Sequence, residues 1–358
     1  MEPAPCTPGP ELIKLRPNPT DPRGAFFMES GLSFSAADLA QTRFAVSPMW
    51  EVVTSFRLLG EDTDPPLHRR WAAQVRPRLL RAGLDRGWLA ALIPGDGYLA
   101  DFLNPAPAGP FPQLCDELDA IRRSSPEQVR ADLATLSRKS GAPSARLRLL
   151  HEEPAAALEK VAEEIETYWE LALAPYWPRI RQLLEADLFH RARQVAEHGS
   201  AYVLNELHST VSWDDGTLHL VRRQCALTRD QTGSGMLLVP SAFAWPRVLT
   251  RSVAPDPPQL AYPARGIGDL WEPRTTGAAA EAVAAVLGRS RAQLLAELDT
   301  PASTTQLARS CGLSAPGVSQ HLTALRNAGL VTAHRNGRSV LYARTAVADA
   351  LLTPVAAP

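Results

Sequence analysis

The sequence predicts a mainly α protein with small β elements, in which a helical N-terminal domain precedes a smaller C-terminal domain. The chain has 358 residues, which is enough for two domains. Hydrophobic residues make up 45% and charged residues 21%, a globular composition. Leucine and alanine, which favour helices, are the dominant residues, and only a few short segments have the character of strands.

Composition also excludes several classes of protein. No run of about 18 apolar residues occurs, and the N-terminus lacks the apolar segment of a secretory signal, so neither a membrane span nor a leader is expected. Four cysteines, Cys6, Cys115, Cys225 and Cys311, are scattered without a CxxC pair. This distribution argues against a disulfide framework or a structural zinc site and favours a reducing cytoplasm.

The first 27 residues are expected to be a disordered, proline-rich tail. Seven prolines lie between residues 1 and 22, and such a segment buries too little apolar surface to fold. Met28 then opens a segment with the character of a normal protein start. Residues 28–277 are assigned to the N-terminal domain and residues 278–358 to the C-terminal domain, because the stretch between residues 251 and 277 is rich in proline and glycine.

The N-terminal domain is expected to be mostly helical. Ser47 and Pro48 give an N-cap followed by proline in the first turn, and Val52, Val53 and Phe56 begin an apolar stripe. Further helices are predicted at about 66–82, 84–92, 111–123, 126–138, 155–173 and 176–198. A small β element follows: a hairpin across residues 212–221 and short strands at 235–240 and 259–263.

Aromatic residues are concentrated in this domain. Eight tryptophans occur, none beyond Trp271. With Tyr168, Tyr176 and Tyr202 they either line an apolar ligand pocket or fill the core. The histidines His190, His198, His208 and His219 lack the spacing of metal ligands, so no metal site is expected there.

The C-terminal domain has the element order helix, helix, turn, helix, hairpin. The first helix is predicted over Ala279–Leu298, with Val286 among its core positions. Ser303 caps a short second helix, and Gly312 suits the left-handed conformation that ends it. Ser314 caps a third helix, Ala315–Asn327. Two strands, 330–334 and 339–342, flank Asn336-Gly337, a strong hairpin signal. This order predicts a winged helix-turn-helix.

The third helix has one apolar edge and one polar edge. Val318, Leu322 and Leu325 recur at helical spacing and face the core. The outward edge carries Ser319, Gln320, Thr323, Arg326 and Asn327. A helix of this width fits the DNA major groove, where serine and glutamine can hydrogen-bond base edges; the alternative is a plain solvated face.

Charge is distributed unevenly between the two domains. The whole chain carries a formal net charge of −1, whereas residues 278–358 hold seven arginines against four acidic residues. Arg335 and Arg338 flank the hairpin tip, where they either contact phosphate or lie on an ordinary exposed hairpin. Such a basic module on an acidic body points to a polyanionic partner.

Residues 303–345, STTQLARSCGLSAPGVSQHLTALRNAGLVTAHRNGRSVLYART, resemble the DNA-binding domain of ArsR-family transcriptional regulators. Upstream segments such as TRFAVSPMWEVVTSFRLL and YPARGIGDLW are similar to the long N-terminal region of an actinobacterial subset of this family. The resemblance implies that Ala315, Pro316, Ser319, Gln320 and His321 lie at the DNA-reading surface, and that Arg326, Arg335 and Arg338 contact phosphate. Ser314, Thr323 and Asn336 complete the expected DNA-binding set.

The sequence departs from the family in two places. Pro316-Gly317 replaces the commoner polar residues at the start of the third helix, which leaves direct readout to Ser319 and Gln320. Metal-sensing members use a cysteine-rich motif or Asp and His ligands on a C-terminal helix, and neither occurs here. His321 is open to three roles: phosphate contact, dimer contact or plain surface. Cys311 is interpreted as a small packed residue rather than a redox sensor.

The resemblance therefore predicts a homodimeric, cytoplasmic transcriptional regulator that binds a pseudo-palindromic operator on double-stranded DNA through residues 315–327 and the wing 331–342. A small-molecule effector would bind in the N-terminal domain, and no cofactor is expected. Motifs of common enzyme classes, such as GxSxG, the P-loop and HExxH, are absent from the sequence, which argues against an enzyme. The alternative is a winged-helix protein-interaction module without sequence-specific DNA binding.

Overall fold

A computed structural model describes residues 15–17, 26–33, 35–61, 65–140, 144–214, 216–223, 234–271, 277–298, 301–336 and 339–352. The α-helices of the N-terminal body are α1 (Ala36–Ala40), α2 (Pro48–Gly60), α3 (Arg69–Arg81), α4 (Trp88–Leu92), α5 (Leu114–Arg122), α6 (Pro126–Ser140), α7 (Ala145–Glu152), α8 (Pro154–Ala172), α9 (Trp177–His198) and α10 (Ser200–Asn205). Those of the C-terminal domain are α11 (Gly277–Leu287), α12 (Arg289–Glu297), α13 (Thr304–Cys311), α14 (Ala315–Asn327) and α15 (Ala346–Leu352).

Strands form three small sheets. They are β1 (Leu15–Pro17), β2 (Phe26–Ser33), β3 (Arg43–Phe44), β4 (Val211–Asp214), β5 (Thr217–Arg223), β6 (Leu237–Ser241), β7 (Leu249–Arg251), β8 (Gln259–Pro263), β9 (Ala302–Ser303), β10 (Val331–Asn336) and β11 (Ser339–Arg344). The sheet orders are β1-β2-β5-β4, β3-β6-β8-β7 and β10-β11-β9. The predicted mainly α fold with small β elements is confirmed.

The β elements of the body are larger than the sequence predicted. The expected hairpin forms as β4 and β5, but it extends through β2 and β1 into the N-terminal segment. Part of the expected disordered tail, residues 15–17 and 26–27, thus belongs to strands, whereas residues 1–14 and 18–25 lie outside the described part of the chain. Parallel pairing of β3 with β6 and of β6 with β8 joins distant segments without a local turn signal.

Helix α2 lies at the centre of the body and is buried along most of its length. Ser47 caps it as predicted, because its hydroxyl accepts a hydrogen bond from the Trp50 N–H at 3.1 Å. Glu51, in the first turn of α2, is fully buried and accepts from the Ala242 N–H at 3.1 Å. Burial raises the pKa of Glu51 to about 8, while its hydrogen bonds to Ser241 and Ala242 oppose that shift.

The tryptophans divide between core and surface. Trp50, Trp71, Trp88 and Trp271 are buried, as are Tyr168 and Tyr176, so core filling accounts for these side chains. Trp169 and Trp177 are only partly buried and pack against the edge of the main core. The predicted aromatic group is therefore not one pocket.

The C-terminal domain has its own hydrophobic core, which includes Val283, Leu295, Leu307, Val318, Leu322, Leu325 and Leu352. The predicted helix over 279–298 is wrong in one respect: it breaks at Gly288, whose φ is +86°, into α11 and α12. Val286, expected in the core, is 83% exposed, although Val283 on the same helix is buried. Helix α11 begins at Gly277, and the exact domain boundary stays a prediction.

The two domains touch chiefly through two pairs of elements. Strand β10 of the C-terminal domain packs against α8 of the body, and α15 packs against α9. Neither contact involves α14. Ser319, Gln320 and Arg326 on the polar edge of α14 are exposed in the described structure.

Candidate nucleic-acid interface

The turn that positions α14 is built from local caps. The Ser303 hydroxyl accepts from the Gln306 N–H at 3.3 Å, and the Gln306 side chain accepts from the Ser303 N–H at 2.8 Å, a reciprocal capping box at the start of α13. Gly312 ends α13 with φ +66°. The Ser314 hydroxyl then accepts from the Gly317 N–H at 3.3 Å and starts α14. These caps set where α13 and α14 begin, and the core that includes Leu307, Val318 and Leu322 packs the two helices together.

Helix α14 is held by its apolar edge. Val318 and Leu322 are fully buried and Leu325 is 1% exposed, as the helical spacing predicts. Pro316 does not disturb the helix, because it lies in the first turn, where its missing N–H has no intrahelical partner in any case. The opposite edge is thereby turned outward.

The outward edge carries most of the predicted DNA-binding residues. The side chains of Ser314, Ala315, Pro316, Ser319, Gln320, Thr323 and Arg326 are exposed. Within the described residues, Ser319, Gln320 and Arg326 make no side-chain hydrogen bond or ion pair. Thr323 donates its hydroxyl proton to the Ser319 carbonyl at 2.9 Å, which leaves the Thr323 oxygen free to accept. This edge offers one amide and two hydroxyls to a ligand.

The wing lies beside this edge. Strands β10 and β11 pair from Val331↔Arg344 to Asn336↔Ser339, so residues 337 and 338 connect them. The connection is thus one residue later than the predicted Asn336-Gly337 turn. Arg335 is exposed near the end of β10, whereas Gly337 and Arg338 lie outside the described residues. Arg335 and Arg326 are the described cations of the predicted phosphate-contacting set.

His321 on α14 and Cys311 at the end of α13 lie beside the outward edge, and the structure bears on the role predicted for each. His321 is half-buried, so all three of its predicted roles stay open. Burial raises the pKa of the Cys311 thiol, with a smaller opposing effect of the Ser310 hydroxyl. Reactive cysteines have a lowered pKa, so this environment favours the packed interpretation of Cys311.

Sequence reasoning missed His334, which lies on β10 at the contact with the N-terminal body. Its Nδ1 is 3.8 Å from a carboxylate oxygen of Glu170 on α8, and its Nε2 is 3.0 Å from the Thr332 hydroxyl. Burial lowers the pKa of His334, and Glu170 opposes that shift. No local pattern identifies such a residue, because its partner lies far away in the sequence.

Two other kinds of site are missing from the ranges that the structure describes. There, no three His, Cys, Asp or Glu side chains converge on a point that could hold a metal ion. Nor is any described helix both long and apolar enough to cross a bilayer.

Comparison with known families separates the same two regions. Residues 287–334, from the end of α11 into β10, match a family described as a helix-turn-helix domain. The match covers most of the segment whose sequence resembles ArsR-family regulators and indicates a helix-turn-helix in the C-terminal domain. Residues 127–268 match a family of unknown function designated DUF5937, which spans α6 to β8 of the body. The helix-turn-helix supports a DNA-binding regulator in general, rather than an enzyme.

Searches of curated proteins and of solved structures returned no match to the chain.

Proposed function

We propose that this protein is a transcriptional regulator that binds a pseudo-palindromic DNA operator as a homodimer. Helix α14 enters the major groove, and the wing of β10 and β11 lies against the flanking backbone. Ser319 and Gln320 read base edges, and Arg326, Arg335 and Arg338 contact phosphates.

The observation that carries this proposal is the exposed polar edge of α14. Gln320 can donate and accept at once, which suits bidentate contact with adenine in the major groove. Within the described chain nothing competes for its amide, and neither of the two main contacts between the domains involves α14. This edge is therefore open to DNA in the described part of the protein.

Three exposed apolar side chains support the dimer. Val286 on α11 is 83% exposed, and Val347 and Leu351 on α15 are 60% and 47% exposed. Helices α11 and α15 pack together, so these side chains belong to one side of the helix-turn-helix domain. In a dimer that covered these side chains, the two α14 helices would enter successive major grooves of the DNA. Such grooves lie about 34 Å apart.

Selection of duplexes from a random pool with the purified protein would identify the operator and test its symmetry. The variant Gln320→Ala should then weaken binding to the selected operator by about 1–3 kcal/mol and leave binding to random DNA unchanged. Gln41→Ala, which removes an exposed glutamine just after α1 on the N-terminal body, is the matched control. Equal loss on operator and random DNA would contradict the assignment of α14, and failure to select any duplex would favour the interaction-module alternative.

Salt dependence tests the wing separately. Arg335→Ala and Arg338→Ala should each reduce the slope of log affinity against log salt by about one, because one phosphate contact is lost. Arg86→Ala, which removes a side chain 83% exposed on the N-terminal body, should leave the slope unchanged. An equal effect of Arg86→Ala would mean that the slope reports net charge rather than wing contacts.

A further inference from the structure

A cleft of about 290 Å³ opens on the N-terminal body between the start of α2, the start of α5 and the paired helices α8 and α9. Its walls are mostly aromatic and aliphatic: Val46, Phe111, Leu114, Trp169 and Trp177 all line it. An apolar cavity of about 150 Å³ is large enough to hold benzene. With about twice that volume, this cleft is large enough for a molecule with two fused rings.

The two indoles form the aromatic wall. The ring centroids of Trp169 and Trp177 lie 4.9 Å apart at an interplanar angle of 61°, an edge-to-face pair. Neither ring is fully buried, unlike the tryptophans of the main core. Neither indole N–H has a hydrogen-bond partner among the described residues. A flat ligand can stack on this wall. Oxygen atoms of the ligand can accept hydrogen bonds from the two indole N–H groups.

Arg181 supplies the one charge among the residues that line this cleft. Its guanidinium lies over the ring of Phe111, with Cζ 5.8 Å from the centroid. Its Nε donates to Glu185 at 2.6 Å, whereas its two terminal nitrogens make no hydrogen bond within the described chain. Those two nitrogens form the planar end that binds carboxylates bidentately.

We propose that this cleft binds a planar aromatic carboxylate of about two rings, with the rings against Trp169 and Trp177 and the carboxylate at the terminal nitrogens of Arg181. The cleft also has a route to the wing. Trp169 is followed on α8 by Glu170, whose carboxylate faces His334 of β10. A ligand that contacts Trp169 therefore contacts the same turn of α8 whose Glu170 faces the wing residue His334. This second link depends on the proposed DNA-binding function.

Calorimetry with 2-naphthoate tests the site on the full-length protein without DNA. We expect saturable binding with a Kd of about 1 mM or tighter, the range for a probe of this size. Arg181→Gln should weaken 2-naphthoate at least about fivefold and leave the uncharged 2-naphthalenemethanol unchanged, because only the carboxylate loses its contact with the guanidinium. Trp177→Ala should weaken both probes.

Two controls keep the test decisive. Trp245→Ala removes an indole that is 42% exposed outside this cleft, and it should change neither affinity. Trp177→Phe keeps an aromatic side chain in the wall and should retain most of the binding. It replaces Trp177→Ala as the test if the alanine variant does not fold. Absence of saturable heat up to about 10 mM 2-naphthoate, or equal losses in Trp177→Ala and Trp245→Ala, would overturn the site.

The link to the wing is tested with operator DNA. Saturating 2-naphthoate should change operator affinity at least about fivefold, and Glu170→Gln should abolish that change while leaving 2-naphthoate binding intact. An unchanged operator affinity in the ligand-bound protein would overturn the link through α8, and calorimetry would still decide the site. If operator binding itself fails, the proposed function is wrong, but the calorimetric result stands.

Discussion

The two domains satisfy the ends of their helices in different ways. In the helix-turn-helix domain, α13 and α14 are capped by Ser303 and Ser314, each of which accepts from an N–H three residues along the chain. In the N-terminal body, the first turn of α2 also receives Glu117 from 68 to 70 residues away, and the first turn of α4 receives Glu164 from about 75 residues away.

The helix starts of the two domains therefore depend on different parts of the chain. Local caps set the starts of α13 and α14 within one short segment of the C-terminal domain. Carboxylates that cap distant helices tie the packing of the body to its chain topology, because each helix start is complete only when another helix is in place. Loss of a helix cap should therefore act on one helix start in the C-terminal domain and on two helices at once in the body.

The largest expected effect is that of Arg344→Ala. Arg344 and Asp349 form an ion pair at 2.9 Å, with side chains 3% and 4% exposed, and Arg344 also donates to the Leu295 carbonyl at 3.1 Å. Removal of one buried partner strands the other charge, so the helix-turn-helix domain should lose about 3–5 kcal/mol of stability.

Urea unfolding can assign that loss to a domain. All eight tryptophans lie in the N-terminal body, so their fluorescence reports on the body, whereas far-ultraviolet circular dichroism reports on both domains. Arg344→Ala should shift part of the dichroism transition and leave the fluorescence transition in place. Equal shifts in both signals would show that the two domains unfold as one unit, although each has its own hydrophobic core.

A pH dependence is expected from the body. Burial raises the pKa of Glu51 and of Glu117 to about 8 in the folded protein, against an ordinary value of 4.5. The folded state thus binds more protons than the unfolded state between these values, and the free energy of unfolding should fall as pH rises from about 5 to 8. Glu51→Gln should reduce that fall in fluorescence-monitored unfolding; a steeper or unchanged slope would refute the assignment.

Loss of a remote cap should cost more than loss of a local one. Glu117→Ala leaves the Ser47 hydroxyl and the Met49 N–H buried without their acceptor, and each stranded group costs about 1–3 kcal/mol. Ser314→Ala removes an exposed local cap and should cost about 1 kcal/mol. The two free energies of unfolding, measured in urea, should keep this order, and a reversed order would contradict the comparison.

The smallest expected effect is that of Gly312→Ala. A Cβ at this position would meet no atom within 4 Å, so no steric clash is expected. The loss of stability comes only from backbone strain, because a residue with a side chain rarely adopts a φ of +66°. This should be about 1 kcal/mol of stability in the helix-turn-helix domain. Gly109→Ala, where a Cβ also meets nothing within 4 Å and no positive φ is required, is the matched control and should cost less.

The same difference explains what the sequence could predict. The spacing of Ser303, Gly312 and Ser314 is enough to indicate their roles, so the elements of the helix-turn-helix and the outward edge of α14 follow from the sequence alone. The break at Gly288 was missed because alanine-rich flanks favour a continuous helix. Pairing of β3 with β6, burial of Glu51 and the contact of His334 with Glu170 join residues that lie far apart, and no local pattern encodes such contacts.

The sheets of the body have a consequence for biosynthesis. Residues 28 and 43–44 pair with residues 223 and 237–238, and the second sheet is complete only with residues 259–263. At about 5–20 residues per second, a ribosome needs roughly 10–40 s to bring these partners out after residue 44. The second sheet of the body therefore cannot close until that interval has passed, whereas β10 and β11 of the C-terminal domain pair with near neighbours in the sequence and can close as soon as both have emerged.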